Sequence, residues 1–442
     1  MDSWSKEDYS RHIREASMMV EKLPEVNPPS GRVPGRGLLT LPISEALRRR
    51  NDGENRDSRK SVRHCKEWLR IIDSPAFLAA HARHRPLELL LYTRTKLPGG
   101  LQAAFDIELD AVTVSARRPV ARYPSSLVGG RNQYCSLLAS CDGLLLLRNN
   151  SSWQKNRQRY LICNPATRRW SDLPRLSRDA EAEQQYGAAV QSDSGFYFHV
   201  PSGEYRLLCR IAHGCTGRAP YYCVFSAGAD EPRRLSVQAT YIAEQPVIAF
   251  DQAGLGLAGN RCFLHLMTPA VLHGHLHWLE HMEAGLTDQM VAFDTVSETF
   301  RRMPPPPLTC EKKHSHLLVA DGSLMASEPG HLFVDLWVLE GYGGGAAAEG
   351  TWKRRHRVEV CWSVERPLLV AGGDGGDVVL GHNSGVVAYN LRSRTVRQVV
   401  GGDASTGDTH LLPSRHVFRE SLVRHGFFEA RPHPGLPLFL FS

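Results

Sequence analysis

Residues 141–174 read "CDGLLLLRNNSSWQKNRQRYLICNPATRRWSDLP". A Gly precedes four leucines, Leu144–Leu147, a polar loop follows, and a second apolar run ends at Asn164-Pro165. Trp170 stands six residues beyond that Asn. Two other stretches share the ending: "AFDTVSETFRRMPPPP" (292–307) and "AYNLRSRTVRQVV" (388–400). In each, an apolar pair leads to Asn164, Asp294 or Asn390. Thr167, Ser297 or Ser393 follows at the third position and Trp170, Phe300 or Val396 at the sixth. An Asn or Asp side chain shapes a turn by accepting backbone N–H bonds, and the sixth residue then begins a new strand.

Looser copies with expanded turns lie at 222–235 and 336–355. Upstream, Gly143, Gly274 and Gly322 each stand before an apolar run, and each is read as opening an inner strand. Gly, inner strand, loop, second strand, Asx turn and outer strand, repeated around a ring, describe the blade of a β-propeller. Five copies are visible, and at about 45–50 residues per blade the chain has room for six or seven. Four consecutive leucines fit a strand covered on both faces, as neighbouring blades would cover it.

The rest of the chain divides around this repeat. Residues 1–40 read as a weak amphipathic helix followed by a Pro/Gly-rich linker. From 41 to 86 the pattern is helical: Val62, Cys65, Trp68 or Leu69, and Ile72 recur at three- and four-residue spacing. Ser74 is suited to cap a second helix and Pro75 to begin it; that helix should run to about His84, burying Phe77, Leu78 and His81 or Ala82. From 87 to 442, runs of β-branched, leucine and aromatic residues alternate with Gly, Pro, Asn, Asp and Ser clusters. The fold class is therefore mainly β, a propeller preceded by a small α-helical segment.

Composition narrows the function. The chain has 442 residues, 42% of them hydrophobic, enough for a full core. No apolar run approaches the ~18 residues of a membrane span. The N-terminal residues are acidic as well as basic and lack an apolar leader, so the expected setting is intracellular. Net charge is +7, but the cations are scattered and not interleaved with aromatics, which argues against nucleic acid as a ligand. The ten cysteines include no C-x-x-C pair and are read as buried, reduced thiols.

Two regions together resemble a plant F-box protein carrying an F-box-associated, kelch-like propeller domain of the grass type. "SVRHCKEWLRIIDSPAFLAAH" (61–81) resembles the second half of an F-box: Cys-Lys-x-Trp, an apolar pair, a Ser/Asp-Pro turn, Phe, and a helix ending in His. The signature "CDGLLLL…NPATR.W..LP", with "SGEYRLLCR" (202–210) and "FRESLVRHG" (418–426), resembles the associated domain. The likeness spans roughly 41–442. It implies a substrate-recognition subunit of a cullin-based ubiquitin ligase in the cytoplasm or nucleus. The propeller would bind a target protein, and Leu41, Pro42, Val62, Cys65, Trp68, Ile72, Pro75 and Phe77 would dock onto a Skp-type adaptor. It implies no catalysis and no cofactor. The chain departs from the pattern between Leu41-Pro42 and Cys65, where "ISEALRRRNDGENRDSRKS" (43–61) is polar and an F-box carries an apolar helix face. That departure favours a second reading, a stand-alone interaction scaffold; a propeller enzyme is a third.

Motifs that suggest chemistry are weak. "HGHLHWLEH" (273–281) sets His273, His275 and His277 in alternation, which on one strand would give a His-x-His face, but no further ligand is identifiable. The expected arrangement is a half-exposed strand with Leu276 and Trp278 turned to the core. The glycines of 371–385 match no phosphate-binding fingerprint, and there is no G-x-S-x-G elbow. Pro304–Pro307 has the composition of an SH3-type ligand, but it stands where an outer strand ends and reads rather as a rigid connector between blades.

Overall fold

The computed structural model describes residues 74–96, 105–112, 117–123, 134–150, 159–174, 189–213, 221–236, 268–280, 289–308, 315–343, 350–360, 369–372, 376–382, 385–401, 409–430 and 440–441. The chain divides into two compact units, Met1–Arg85 with Ser421–Val423, and Pro86–Glu420 with Arg424–Ser442.

In the first unit the described element is helix α1 (Pro75–His84). Ser74 caps it, its Oγ accepting from the Phe77 amide at 3.3 Å, and Pro75 takes the first turn, where a missing N–H costs nothing. Arg85 ends the helix in an extended conformation, as the residue before Pro86 must. Leu78 and His81 are buried, while Phe77 and Ala82 are half-buried. The helix thus has the boundaries expected from sequence. Leu41, Pro42, Val62, Cys65, Trp68 and Ile72 lie outside the described residues.

The second unit opens on β1 (Glu88–Lys96), β2 (Phe105–Val112) and β3 (Arg117–Tyr123). Next come β4 (Tyr134–Cys141), β5 (Leu144–Asn150), β6 (Arg159–Asn164) and β7 (Arg169–Asp172), then β8 (Ala189–His199), β9 (Glu204–His213), β10 (Tyr221–Ser226) and β11 (Arg233–Arg234). A third set is β12 (Ala270–Leu272), β13 (His275–Glu280), β14 (Gln289–Asp294) and β15 (Thr299–Met303). A fourth is β16 (His316–Ala320), β17 (Ser323–Pro329), β18 (Phe333–Glu340) and β19 (Thr351–Glu359). The fifth is β20 (Leu369–Gly372), β21 (Asp377–His382), β22 (Gly385–Asn390) and β23 (Val396–Gly401). Each of these five sets is one antiparallel sheet in chain order, here blades II to VI. Finally β24 (Thr409–Phe418) and β25 (Leu440–Phe441) return to β1 and β3, giving blade I the order β24-β1-β2-β3-β25.

The first strands of successive blades touch: β24 meets β4 and β20, β4 meets β8, and β16 meets β12 and β20. They line the axis of a six-bladed propeller. Six separate apolar clusters fill the seams between neighbouring blades. The four leucines of β5 show how. Leu145 and Leu147 belong to the cluster between blades I and II, Leu144 and Leu146 to the one between II and III, and all four are inaccessible to solvent. A period-two strand sandwiched between blades needs apolar residues at every position. Burying each such leucine contributes about 1.5–3 kcal/mol.

The blade count of six settles the expectation of six or seven. Five turns repeat in sequence because five blades are contiguous, while blade I is assembled from both ends of its unit. One expectation is corrected. The strands after Gly143, Gly274 and Gly322 are second from the axis; the innermost are β4, β12 and β16, which precede those glycines. The linking pairs Asp142-Gly143, His273-Gly274 and Asp321-Gly322 all have positive φ at both residues, the signature of a tight type I′ hairpin.

The Asx turns join third to fourth strands as expected. Asn164 Oδ1 accepts from the amides of Ala166 (3.0 Å) and Thr167 (3.3 Å). Asp294 Oδ1 accepts from Val296 (2.8 Å) and Ser297 (3.2 Å), and Asn390 Oδ1 from Arg392 (3.1 Å) and Ser393 (2.8 Å). The fourth residue after each Asx, Arg168, Glu298 or Arg394, has φ between 53° and 57°. Asn164→Ala should cost about 1–3 kcal/mol by leaving two turn amides without their acceptor. Arg168→Gly should instead stabilise by up to about 1 kcal/mol, because glycine adopts positive φ without strain. Urea unfolding of the two variants checks both signs.

Candidate functional site

Strands alternate in direction, so first-to-second and third-to-fourth turns emerge at one end of the ring, the turn end. The other connections emerge opposite, and most of their residues lie outside the described set. In blades IV, V and VI the third-to-fourth turn reaches across the seam to the blade before it.

Between blades III and IV the reaching residue is Glu298. Its Oε1 accepts from Tyr197 Oη (2.7 Å) and Arg206 Nη1 (2.7 Å), and its Oε2 pairs with Arg233. Arg206 also holds Glu204 at 2.7 Å. Beside them, His199 Nδ1 accepts from the Ser202 amide (3.3 Å), which leaves Nε2 to donate to the Val296 carbonyl at 3.3 Å. Burial raises the Glu298 pKa, but the bonds from Tyr197, Arg233 and Arg206 prevail and hold the carboxyl below its usual range. Burial and the facing carboxylate push the Tyr197 hydroxyl well up, so it stays a donor.

Between blades IV and V the reaching residue is Tyr342. Its hydroxyl lies 2.8 Å from His277 Nε2 and accepts from Arg301 Nη2 at 2.9 Å. His277 Nδ1 faces the Ala270 carbonyl at 3.1 Å, so it carries the proton and Nε2 accepts from Tyr342. The imidazole is fully buried. Burial lowers its pKa to about 4, against the Ala270 bond and aided by the neighbouring His275, Arg301 and His273. Between blades V and VI, Arg392 binds Asp321 at 2.6 Å on the surface.

Across the seam between blades II and III lies the chain after β24. Its short helix α2 (Phe427–Ala430) places Phe427 and Phe428 in the apolar cluster, and His425 meets the Tyr205 ring edge-on at 5.1 Å. Tyr205 in turn donates to Asp142 at 3.2 Å.

The histidine run is corrected by this geometry. His273 has φ 50° and sits in the turn, so it does not share the strand with His275 and His277. His277 is not on a half-exposed face; it is buried with both nitrogens engaged. Leu276 is buried and Trp278 packs at the III/IV seam, as expected. Among the described residues no three His, Cys, Asp or Glu side chains are grouped to hold a metal. Cys163, Cys209 and Cys223 are buried free thiols. Of the adaptor-docking residues, Pro75 and Phe77 fall on the first turn of α1. Sequence reasoning missed Glu298, Tyr342 and Arg392. Each lies inside a quoted turn, but its partner is in another blade.

No protein-family model matches the chain, and no curated protein matches its sequence. It is similar in structure to TolB from Acinetobacter baumannii (12% identity, TM-score 0.32), covering 77% of this chain and 84% of that one. The β-propeller domain of the Trilobed protease from Pyrococcus furiosus shows 9% identity and a TM-score of 0.32 over 72% and 86%. The Hadza microbial sialidase Hz136 shows 10% identity and a TM-score of 0.37 over 72% and 84%. The class that the chain's own strand order defines is a six-bladed β-propeller, a fold consistent with a protein-binding scaffold. Among the described residues no helix is long and apolar enough to cross a membrane.

The His277 latch makes stability depend on pH. The folded protein keeps this imidazole neutral to about pH 4, whereas an unfolded histidine takes up its proton near pH 6.5. Stability should therefore fall as pH drops through that interval, by on the order of 3 kcal/mol. Urea unfolding as a function of pH, compared with His277→Gln, should show a flatter dependence in the variant.

Proposed function

We propose that this chain is the substrate-recognition subunit of a cullin-based ubiquitin ligase. Its propeller binds a target protein, and its helical segment docks onto a Skp-type adaptor in the cytoplasm or nucleus. The observation that carries the reading is α1. Ser74, Pro75 and a half-exposed Phe77 make a capped helix start at the place where the F-box resemblance expects a Ser/Asp-Pro turn followed by Phe. The signature at 141–174 supports it too, since its leucines and its Asx turn both serve the propeller. In this role the chain supplies no catalysis; it raises the local concentration of the target's lysines near the charged ubiquitin. The polar stretch 43–61 favours a second reading, a stand-alone scaffold without adaptor binding.

Calorimetry of the full chain with a plant Skp-type adaptor tests the two. Sub-micromolar binding, about −8 kcal/mol or stronger, lost in Cys65→Asp/Trp68→Ala and weakened at least tenfold in Phe77→Ala, is the expected result. A folded chain with no measurable binding would establish the scaffold reading instead.

A further inference from the structure

The proline run after β15 does more than connect blades. Prolines hold φ near −65° and restrict the residue before them, so Met303–Pro306 follows an extended helix of three residues per turn. Burial follows that threefold repeat. Met303 and Pro306, three apart, are buried, and Leu308 is buried beyond them. Pro304 and Pro307, also three apart, are exposed, and so is Pro305. One edge of the helix is therefore pressed on the protein while rings on the other two face solvent. The run is held to the protein at its start, where Met303 joins the IV/V cluster and Trp352 Nε1 donates to the Pro304 carbonyl at 2.9 Å, and the Leu308 amide closes a local turn on the Pro306 carbonyl at 2.9 Å.

A connector needs only that inward edge. Three proline rings turned outward on a rigid strand end form instead the surface that polyproline-reading domains grip. We propose that residues 303–307 are a docking ligand for a partner domain with an aromatic-lined polyproline groove. The paired aromatics would take the Pro304-Pro305 step and the Pro307 ring. Because the run is already ordered in the folded chain, binding forfeits little conformational freedom. This surface lies on the propeller flank and is independent of the adaptor reading.

The test titrates the full chain into an isolated 15N-labelled WW domain and, separately, an SH3 domain, each first saturated with its own proline peptide as control. The expected result is shifts at the groove aromatics of at least one domain, reversed by the proline peptide. In the Pro304→Ala/Pro305→Ala/Pro307→Ala variant affinity should fall at least tenfold with an unchanged thermal transition. If that variant melts early, Pro305→Ala alone is compared. Absence of shifts with both domains, or binding that survives the substitutions, would overturn the proposal.

Discussion

The ring depends on one antiparallel ladder, β24 against β1, running from Glu88↔Phe418 to Thr95↔Thr409. Every blade buries both faces, so a missing blade-edge strand would expose two seams at once. Phe418 fills the I/II cluster and Val417 packs at the VI/I cluster, on opposite faces of β24. Arg118 of β3 ties the ladder's end, pairing with Glu88 and, at 3.7 Å, with Glu420, while lying 5.7 Å over the Phe418 ring. Joining strands this far apart in sequence carries a loop-closure cost that the local hairpins do not. The five contiguous blades can form from local contacts, but closing the circle waits on the last strand.

The seams are apolar through their depth and polar at the turn end. Glu298 concentrates two costs in one residue, a left-handed backbone and a buried carboxylate. Three bonding groups of blade III, Tyr197, Arg206 and Arg233, compensate, and removing any one would leave the buried carboxylate short of a partner. Such networks add little net stability compared with an apolar substitute of the same shape. What they supply is register, because only one angular placement of blade IV brings Glu298 between Tyr197, Arg206 and Arg233. His277 and Tyr342 do the same for the next seam with neutral groups, which makes that seam sensitive to acid.

Legibility followed the range of the interaction. The Asx turns were readable because Asn164, Asp294 and Asn390 bond to amides two and three residues on. The α1 boundaries were readable because Ser74 and Pro75 act within one turn. Glu298 was not, since its partners Tyr197 and Arg206 lie 101 and 92 residues earlier. His277 was misjudged for a related reason. A period-two pattern gives the face of a strand but does not say that a tyrosine from the next blade covers it.

The amino-acid sequence by itself determined that this is a repeated module of strands joined by an outer turn, with four consecutive leucines in one copy and an Asx residue at three of the turns. Those features arise from side chains acting on their own strand or turn. Tertiary structure decided the number six, the inner rank of β4, β12 and β16, and the latches across the seams. Each of these depends on which strand lies beside which. That is set by closing the ring, where β24 must complete the first blade for the two seams beside it to be kept from water.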